Sequence, residues 1–115
     1  MAIGVDIEDI QRFEDKSQEF LDRIYTKNEQ KYCLSKPNPA SHFAVRFCAK
    51  EAVIKALNST QINHPRLNQI EIYHGENNCP NVRLLNECDN NLTIQISLSH
   101  DKTKAIAFVT IEKKG

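Results

Sequence analysis

The sequence carries no net charge, no long apolar run, no closely spaced cysteine pair and no nucleophile-elbow motif. Each absence removes a class of function. Fifteen Lys and Arg balance fifteen Asp and Glu, nine against nine in residues 1–60 and six against six in 61–115. No basic stripe or acidic tail remains to capture nucleic acid by bulk electrostatics. No apolar stretch approaches the roughly 20 residues that span a bilayer, and the N-terminus lacks a charged region followed by an apolar one. The expected location is therefore cytoplasmic, without membrane contact. The four cysteines, Cys33, Cys48, Cys79 and Cys88, form no C-x-x-C pair and have no His at finger-like spacing. Free thiols are expected rather than a zinc site. Cys48 sits inside an apolar helical pattern and reads as a small hydrophobe.

What is present fits one domain spanning residues 1–115. A chain of this length buries roughly two-thirds of its unfolded surface and folds without staples. Ala2–Ile7 is a short apolar run suited to a buried strand. Residues 8–34 read as broken helix, with Thr26-x-x-Glu29 as a capping box and Pro37 and Pro39 as the stop. Ser41–Leu57 is the clearest helix, free of Gly and Pro and rich in Ala, with Lys and Leu among its helix formers. Beyond it the period changes to two. Ile70 and Ile72 alternate with polar neighbours, Gly75–Asn78 is turn chemistry, and Val82–Leu85 is short and apolar. Leu92, Ile94, Ile96 and Leu98 alternate strictly with polar residues, and Ala105–Ile111 forms a last strand. Helices first and adjacent antiparallel strands afterwards make the class α+β.

Three constellations stand out from this background. Asp6 lies within the apolar Ile3–Ile7. It is either a strand-terminal cap for the next segment, or a buried carboxylate that needs a partner or a metal. In the long helix, Glu51 and Lys55 fall about 40° apart, with Asn58 beside them, on a cylinder otherwise apolar. They read either as a surface (i, i+4) pair or as a narrow functional stripe. The third is Ser97-Leu98-Ser99-His100, where His100 ends a half-buried strand and can donate to an anion. Nucleophilic catalysis by these serines is disfavoured, because strand neighbours point to opposite faces and G-x-S-x-G is absent. His42, His64 and His74 lie in contexts that read as helix start, loop and strand edge, with structural roles. Two carboxylates, a Lys and a His together suit metal-assisted chemistry on a phosphorylated small molecule, since Mg²⁺ is commonly held by carboxylates and substrate phosphates.

At these residues the chain resembles the holo-[acyl-carrier-protein] synthases, the small bacterial type of 4′-phosphopantetheinyl transferase. The matching segments are Gly4-Val5-Asp6-Ile7-Glu8 with Arg12-Phe13, then Phe20-x-x-Arg23-Ile24-x-Thr26-x-x-Glu29. Arg46-Phe47-x-Ala49-Lys50-Glu51-Ala52-x-x-Lys55-Ala56 and Ser97-x-Ser99-His100 follow. The resemblance implies transfer of phosphopantetheine from coenzyme A to a serine of apo acyl carrier protein, in fatty acid biosynthesis. It implies Asp6 and Glu51 as Mg²⁺ ligands, Lys55 and His100 on the phosphates, Arg46 beside the nucleotide and Arg12 as the docking residue for the carrier. Asp6, Glu51 and Lys55 would carry the catalysis, and a compact homotrimer is implied. One departure concerns the loop after the long helix. Where the family commonly has a glycine, Asn58–Asn63 has none. A non-catalytic coenzyme A or nucleotide-binding protein of the same fold is the alternative. A purely structural oligomerisation module leaves the charged stripe without a purpose.

Overall fold

Strand β1, Ala2–Asp9, is built with its small and acidic residues on one face and its large apolar residues on the other. The computed structural model describes residues 1–86 and 91–114; Cys88 lies outside the described residues. Ala2 and Gly4 are buried and Asp6 and Glu8 half-buried, whereas Ile3, Val5 and Ile7 are 61%, 50% and 59% exposed. The apolar run therefore does not bury its large side chains, contrary to the sequence reading. The reason is the close seat of helix α3, Pro39–Ser59, across this face. A Cβ on Gly4 would overlap the Ala52 carbonyl oxygen, so only glycine permits the approach. β1 also runs two residues further than the apolar pattern suggests. Glu8 and Asp9 pair with Ala105 and Lys104 on the neighbouring strand, and the Lys104 ammonium neutralises Asp9.

A 3-10 turn at Ile10–Phe13 follows β1, then helices α1, Gln18–Ile24, and α2, Lys27–Leu34. The capping box forms as expected. Thr26 accepts from the Glu29 N–H, and the Glu29 carboxylate accepts from the Thr26 N–H. α3 begins at Pro39, whose missing N–H costs nothing in the first turn. Strands β2, Ile70–His74, and β3, Pro80–Leu84, make a separate two-stranded sheet. β4, Leu92–His100, and β5, Lys104–Lys113, complete an antiparallel sheet in the order β1-β5-β4. The α+β expectation holds. Along its centre, buried Ala105, Ala107 and Val109 of β5 face Cys48, Ala49, Ala52 and Ala56 of α3 in one core. The Cys48 thiol donates to the Ala105 carbonyl.

Small residues at this seam bring helix backbone close to sheet backbone. The side chains flanking the seam, from α3 and from β1, are thereby held within reach of one another.

Candidate active site

α3 presents two different faces to two different neighbours. Arg46 and Lys50 are one turn apart, as are Glu51 and Lys55, and the two pairs are rotated by roughly 140° about the helix axis. The Glu51 and Lys55 face looks onto β1. Lys55 Nζ donates to the Val5 carbonyl at 2.9 Å and to Asp6 Oδ1 at 3.3 Å. Asp6 Oδ2 is buried and receives no hydrogen bond. Glu8, two residues along and therefore on the same face, stands beside Asp6. Burial raises the Glu8 carboxyl to about 7, with contributions from hydrogen bonding and repulsion by Asp6; Arg12 opposes and Glu51 adds to the rise. Burial also raises the Glu51 carboxyl, and the Asp6 charge raises it further, against Lys55 and His64.

Glu8 and Glu51, each pushed up by burial and by the Asp6 charge, leave this cluster short of positive charge. Among the described residues no group of three His, Cys, Asp or Glu side chains is arranged to hold a metal ion unaided. Asp6, Glu51 and Glu8 nevertheless suit a hard divalent cation that takes one or two carboxylates and completes its shell with water and phosphate. The unpaired Asp6 Oδ2 is the atom that most needs it.

The sequence-derived residues do not all meet here. Asp6, Glu51 and Lys55 are brought together. Arg12, on the 3-10 turn, is mostly exposed and its guanidinium pairs with Glu8, which ties it to the cluster's rim. His100 stands two strands from Glu8 in one row across the sheet, Glu8–Ala105–His100, roughly 10 Å away at the usual strand spacing. Among the described residues no hydrogen bond joins His100 to Asp6, Glu51 or Lys55; its Nδ1 lies 3.2 Å from the Asp101 carbonyl oxygen.

Arg46 belongs to the other face, and is only 2% exposed. Its guanidinium lies 4.3 Å from the centre of the Tyr32 ring, with Lys36 Nζ 4.6 Å from the same centre. The His42 and His74 rings pack against Tyr32 at 5.8 and 5.0 Å. A cavity of about 210 Å³ opens here, lined by Tyr32, Arg46, Ile72 and His74 among others. The sequence reading gave His42 and His74 structural roles because each is isolated in sequence; the fold gathers them around Arg46. Only the cation-rich sequence Lys36…His42…Arg46, spaced at six and four, hints at this.

Lys50 was also missed as a site residue. Its ammonium is fully buried and donates to Glu29 Oε1 at 2.7 Å, to the Leu67 carbonyl at 2.9 Å and to the Ile70 carbonyl. All three donors are used. Glu29 Oε2 in turn accepts from the Ile72 N–H at 2.9 Å. This pair fixes α2 and β2 against α3, which places Tyr32 and His74 around Arg46. A larger hollow of about 360 Å³, lined by Phe13, Leu21, Leu34 and Phe43, contains none of the sequence-derived site residues. Its charged lining residues are Glu14, Asp15 and Lys16, with no cluster of carboxylates around a buried oxygen like that at Asp6.

In the loop after α3, Gln61 adopts the left-handed conformation, φ 65°. The loop thus makes without glycine a turn that glycine makes at no cost, at about 1 kcal/mol for a residue with a Cβ. Asn58, Gln61, Ile62, Asn63 and His64 line an open hollow of about 350 Å³ there.

Known proteins share this fold and much of this sequence. The family model of the 4′-phosphopantetheinyl transferase superfamily matches residues 2–109. The chain belongs to that superfamily. It is 38% identical over 114 residues to the holo-[acyl-carrier-protein] synthase of Thermodesulfovibrio yellowstonii, covering 96% of each chain. Identity to the synthase of Protochlamydia amoebophila is 40% over 115 residues, covering 94% of each. Among solved structures, the Helicobacter pylori holo-[acyl-carrier-protein] synthase in complex with coenzyme A superposes with a TM-score of 0.79 at 32% identity. That match covers 96% of this chain and 99% of the other. This phosphopantetheinyl transferase is accordingly an enzyme.

Proposed function

We propose that this transferase moves the 4′-phosphopantetheine group of coenzyme A onto a serine of an apo acyl carrier protein, releasing adenosine 3′,5′-bisphosphate, with Mg²⁺ as cofactor. The observation that carries the reading is the charge-starved cluster of Asp6, Glu8 and Glu51, bridged by Lys55 across the α3–β1 seam. Relatives named as holo-[acyl-carrier-protein] synthases along nearly their whole length support the substrate pair. In the proposed reaction the serine oxygen bonds to the phosphorus bearing pantetheine. The phosphoanhydride P–O bond breaks, its electron pair leaves with the nucleotide, and the proton of the serine hydroxyl is released to solvent. Such a step demands positioning and charge neutralisation more than covalent help. Asp6 and Glu51 would hold Mg²⁺, which when bound would supply Lewis acidity and neutralise pyrophosphate charge. Lys55 holds Asp6 in place and offers an ammonium to the same phosphates. Arg46 binds the nucleotide end, and His100, at the end of β4, donates to phosphate.

The product tests this directly. Adenosine 3′,5′-bisphosphate should accumulate in a chromatographic assay only when coenzyme A, apo carrier protein and Mg²⁺ are all present. Hydrolysis of coenzyme A without the carrier would contradict the reading. A coenzyme-binding protein without turnover is the second reading, favoured by the loop that turns at Gln61 rather than at glycine. Binding without release of the bisphosphate would establish it.

Arg12 is the proposed docking residue for the acidic carrier, since an exposed guanidinium beside the site attracts and pairs with a carboxylate. Arg12→Glu should raise KM for the carrier about tenfold, equivalent to roughly 1.4 kcal/mol. Added salt should slow the wild type more than the variant, because screening weakens an attraction that only the wild type has. Equal KM values at low salt would remove Arg12 from docking.

A cytoplasmic homotrimer is the proposed assembly. Its support is the outer face of the main sheet, where Ile3, Val5 and Ile7 lie in register with Thr110, Phe108 and Ile106. Ile106 and Phe108 are 40% and 47% exposed. Contiguous apolar surface of this kind marks an interface. Val5→Glu should reduce the mass measured by light scattering to that of one chain; an unchanged mass would place the interface elsewhere.

A further inference from the structure

The cavity beside Arg46 is lined by Arg46, His74 and Tyr32, and the Tyr32 ring in turn holds Lys36 and His42 close by. Tyr32 comes from α2, Lys36 from the residues just after it, His42 and Arg46 from α3, and His74 from the end of β2. Among the described residues none of Lys36, His42, Arg46 and His74 forms an ion pair. The one carboxylate lining the cavity, Glu29, is already held by Lys50. Tyr73 lines it too, with the Arg83 guanidinium stacked 4.2 Å from its ring centre. His100 adds its field to His42 from the end of β4. Arg46 Nε is buried and has no partner, although its NH1 donates to the His42 carbonyl at 3.3 Å. A buried guanidinium with an unused donor, among further cations, suits an anion.

The contact between Arg46 NH2 and His74 Nδ1, 3.4 Å, bears on the protonation of His74. A guanidinium has donors only, so a hydrogen bond across this contact uses the Nδ1 lone pair of a neutral His74. His42 and His74 both stand below the ordinary imidazole range, through burial first and then through the positive charges of Arg46 and Lys36. Without an anion the two rings cannot afford a further charge beside these cations. A phosphate dianion reverses that balance. Protonation would turn His74 Nδ1 from an acceptor of the Arg46 N–H into a second donor, freeing Arg46 NH2 at the same moment.

We propose that His42 and His74 make this a proton-linked anion site, in which a phosphate dianion binds beside Arg46 together with uptake of protons from solvent by the two imidazoles. The proposal rests on the reading that Arg46 receives the nucleotide end of the substrate. It adds two specificity residues to that reading and a pH dependence: affinity for a nucleoside bisphosphate rises as pH falls toward the free-imidazole range.

The experiment is calorimetric titration with adenosine 3′,5′-bisphosphate near pH 7, in buffers of low and high ionisation heat, on the wild type and on the His42→Gln/His74→Gln double variant. The slope of binding heat against buffer heat counts protons, and the difference between proteins cancels any change on the ligand's own phosphates. The wild type should take up about one proton more than the variant. Its affinity should also strengthen more steeply between pH 8 and pH 6 than the variant's. Equal proton counts with intact binding would overturn this inference and leave the nucleotide reading standing; absence of binding by the wild type would overturn both. Should the double variant fold poorly, a proton NMR titration of the wild-type imidazoles decides. Both should titrate at higher pH with bisphosphate bound, and unchanged titrations would refute the proposal.

Discussion

Replacing Glu51 by Gln should cut transfer by about 10²–10³-fold, the size seen when one preorganised electrostatic group is removed from a reaction centre. The variant should fold as well as the wild type or better. Gln keeps the side chain's size and its stem in the α3–β1 seam, but removes a half-buried negative charge. Because burial and Asp6 raise the Glu51 carboxyl, its ionised form at neutral pH costs folding free energy. A lost charge therefore relieves the fold while it deprives the proposed Mg²⁺ of a ligand. The measurement is a steady-state transfer rate across a Mg²⁺ series beside a thermal melt. Near wild-type turnover at low Mg²⁺ would show that Glu51 is not a ligand. A large fall in Tm would show that its role is structural.

The second large effect concerns stability. Lys50→Met should destabilise the protein by about 3–5 kcal/mol, the cost of leaving one partner of a buried ion pair alone. The Glu29 carboxylate would lose its counter-charge, and the Leu67 and Ile70 carbonyls would lose a donor. For a domain of this size that corresponds to a fall in Tm of roughly 10–20 °C. Adding Glu29→Gln to Lys50→Met should recover part of the loss, since the stranded charge disappears with it. A single variant within about 1 kcal/mol of the wild type would contradict the staple described for α2, α3 and β2.

Much of this was legible in the residues because local physics and tertiary context agree there. The capping box at Thr26, the period of α3 and the strict alternation of β4 all survive folding unchanged. Glu51 and Lys55 are one turn apart on a nearly apolar cylinder, and their partner Asp6 is anomalous in its own strand. Each can be seen without knowing what lies opposite. β1 misled for the opposite reason. Its large residues look like core, yet Gly4 and the alanines of α3 and β5 set a seam too narrow for them, so they face outward. Glu8 and Asp9 fall in the stretch that reads as broken helix until Ala105 and Lys104 of β5 pair with them, from nearly one hundred residues away. Lys50 could not be assigned because its partner Glu29 was already satisfied by the capping box. The histidines beside Arg46 come from segments 32 residues apart, and no local periodicity joins them.

The central claim is that this fold moves phosphopantetheine from coenzyme A to a carrier protein. Intact-mass spectrometry of an apo acyl carrier protein, incubated with the purified enzyme, coenzyme A and Mg²⁺, tests it most directly. The account predicts that the carrier gains one phosphopantetheine group, and gains nothing when Mg²⁺ is chelated. A carrier of unchanged mass, with coenzyme A bound to the folded protein, would contradict it.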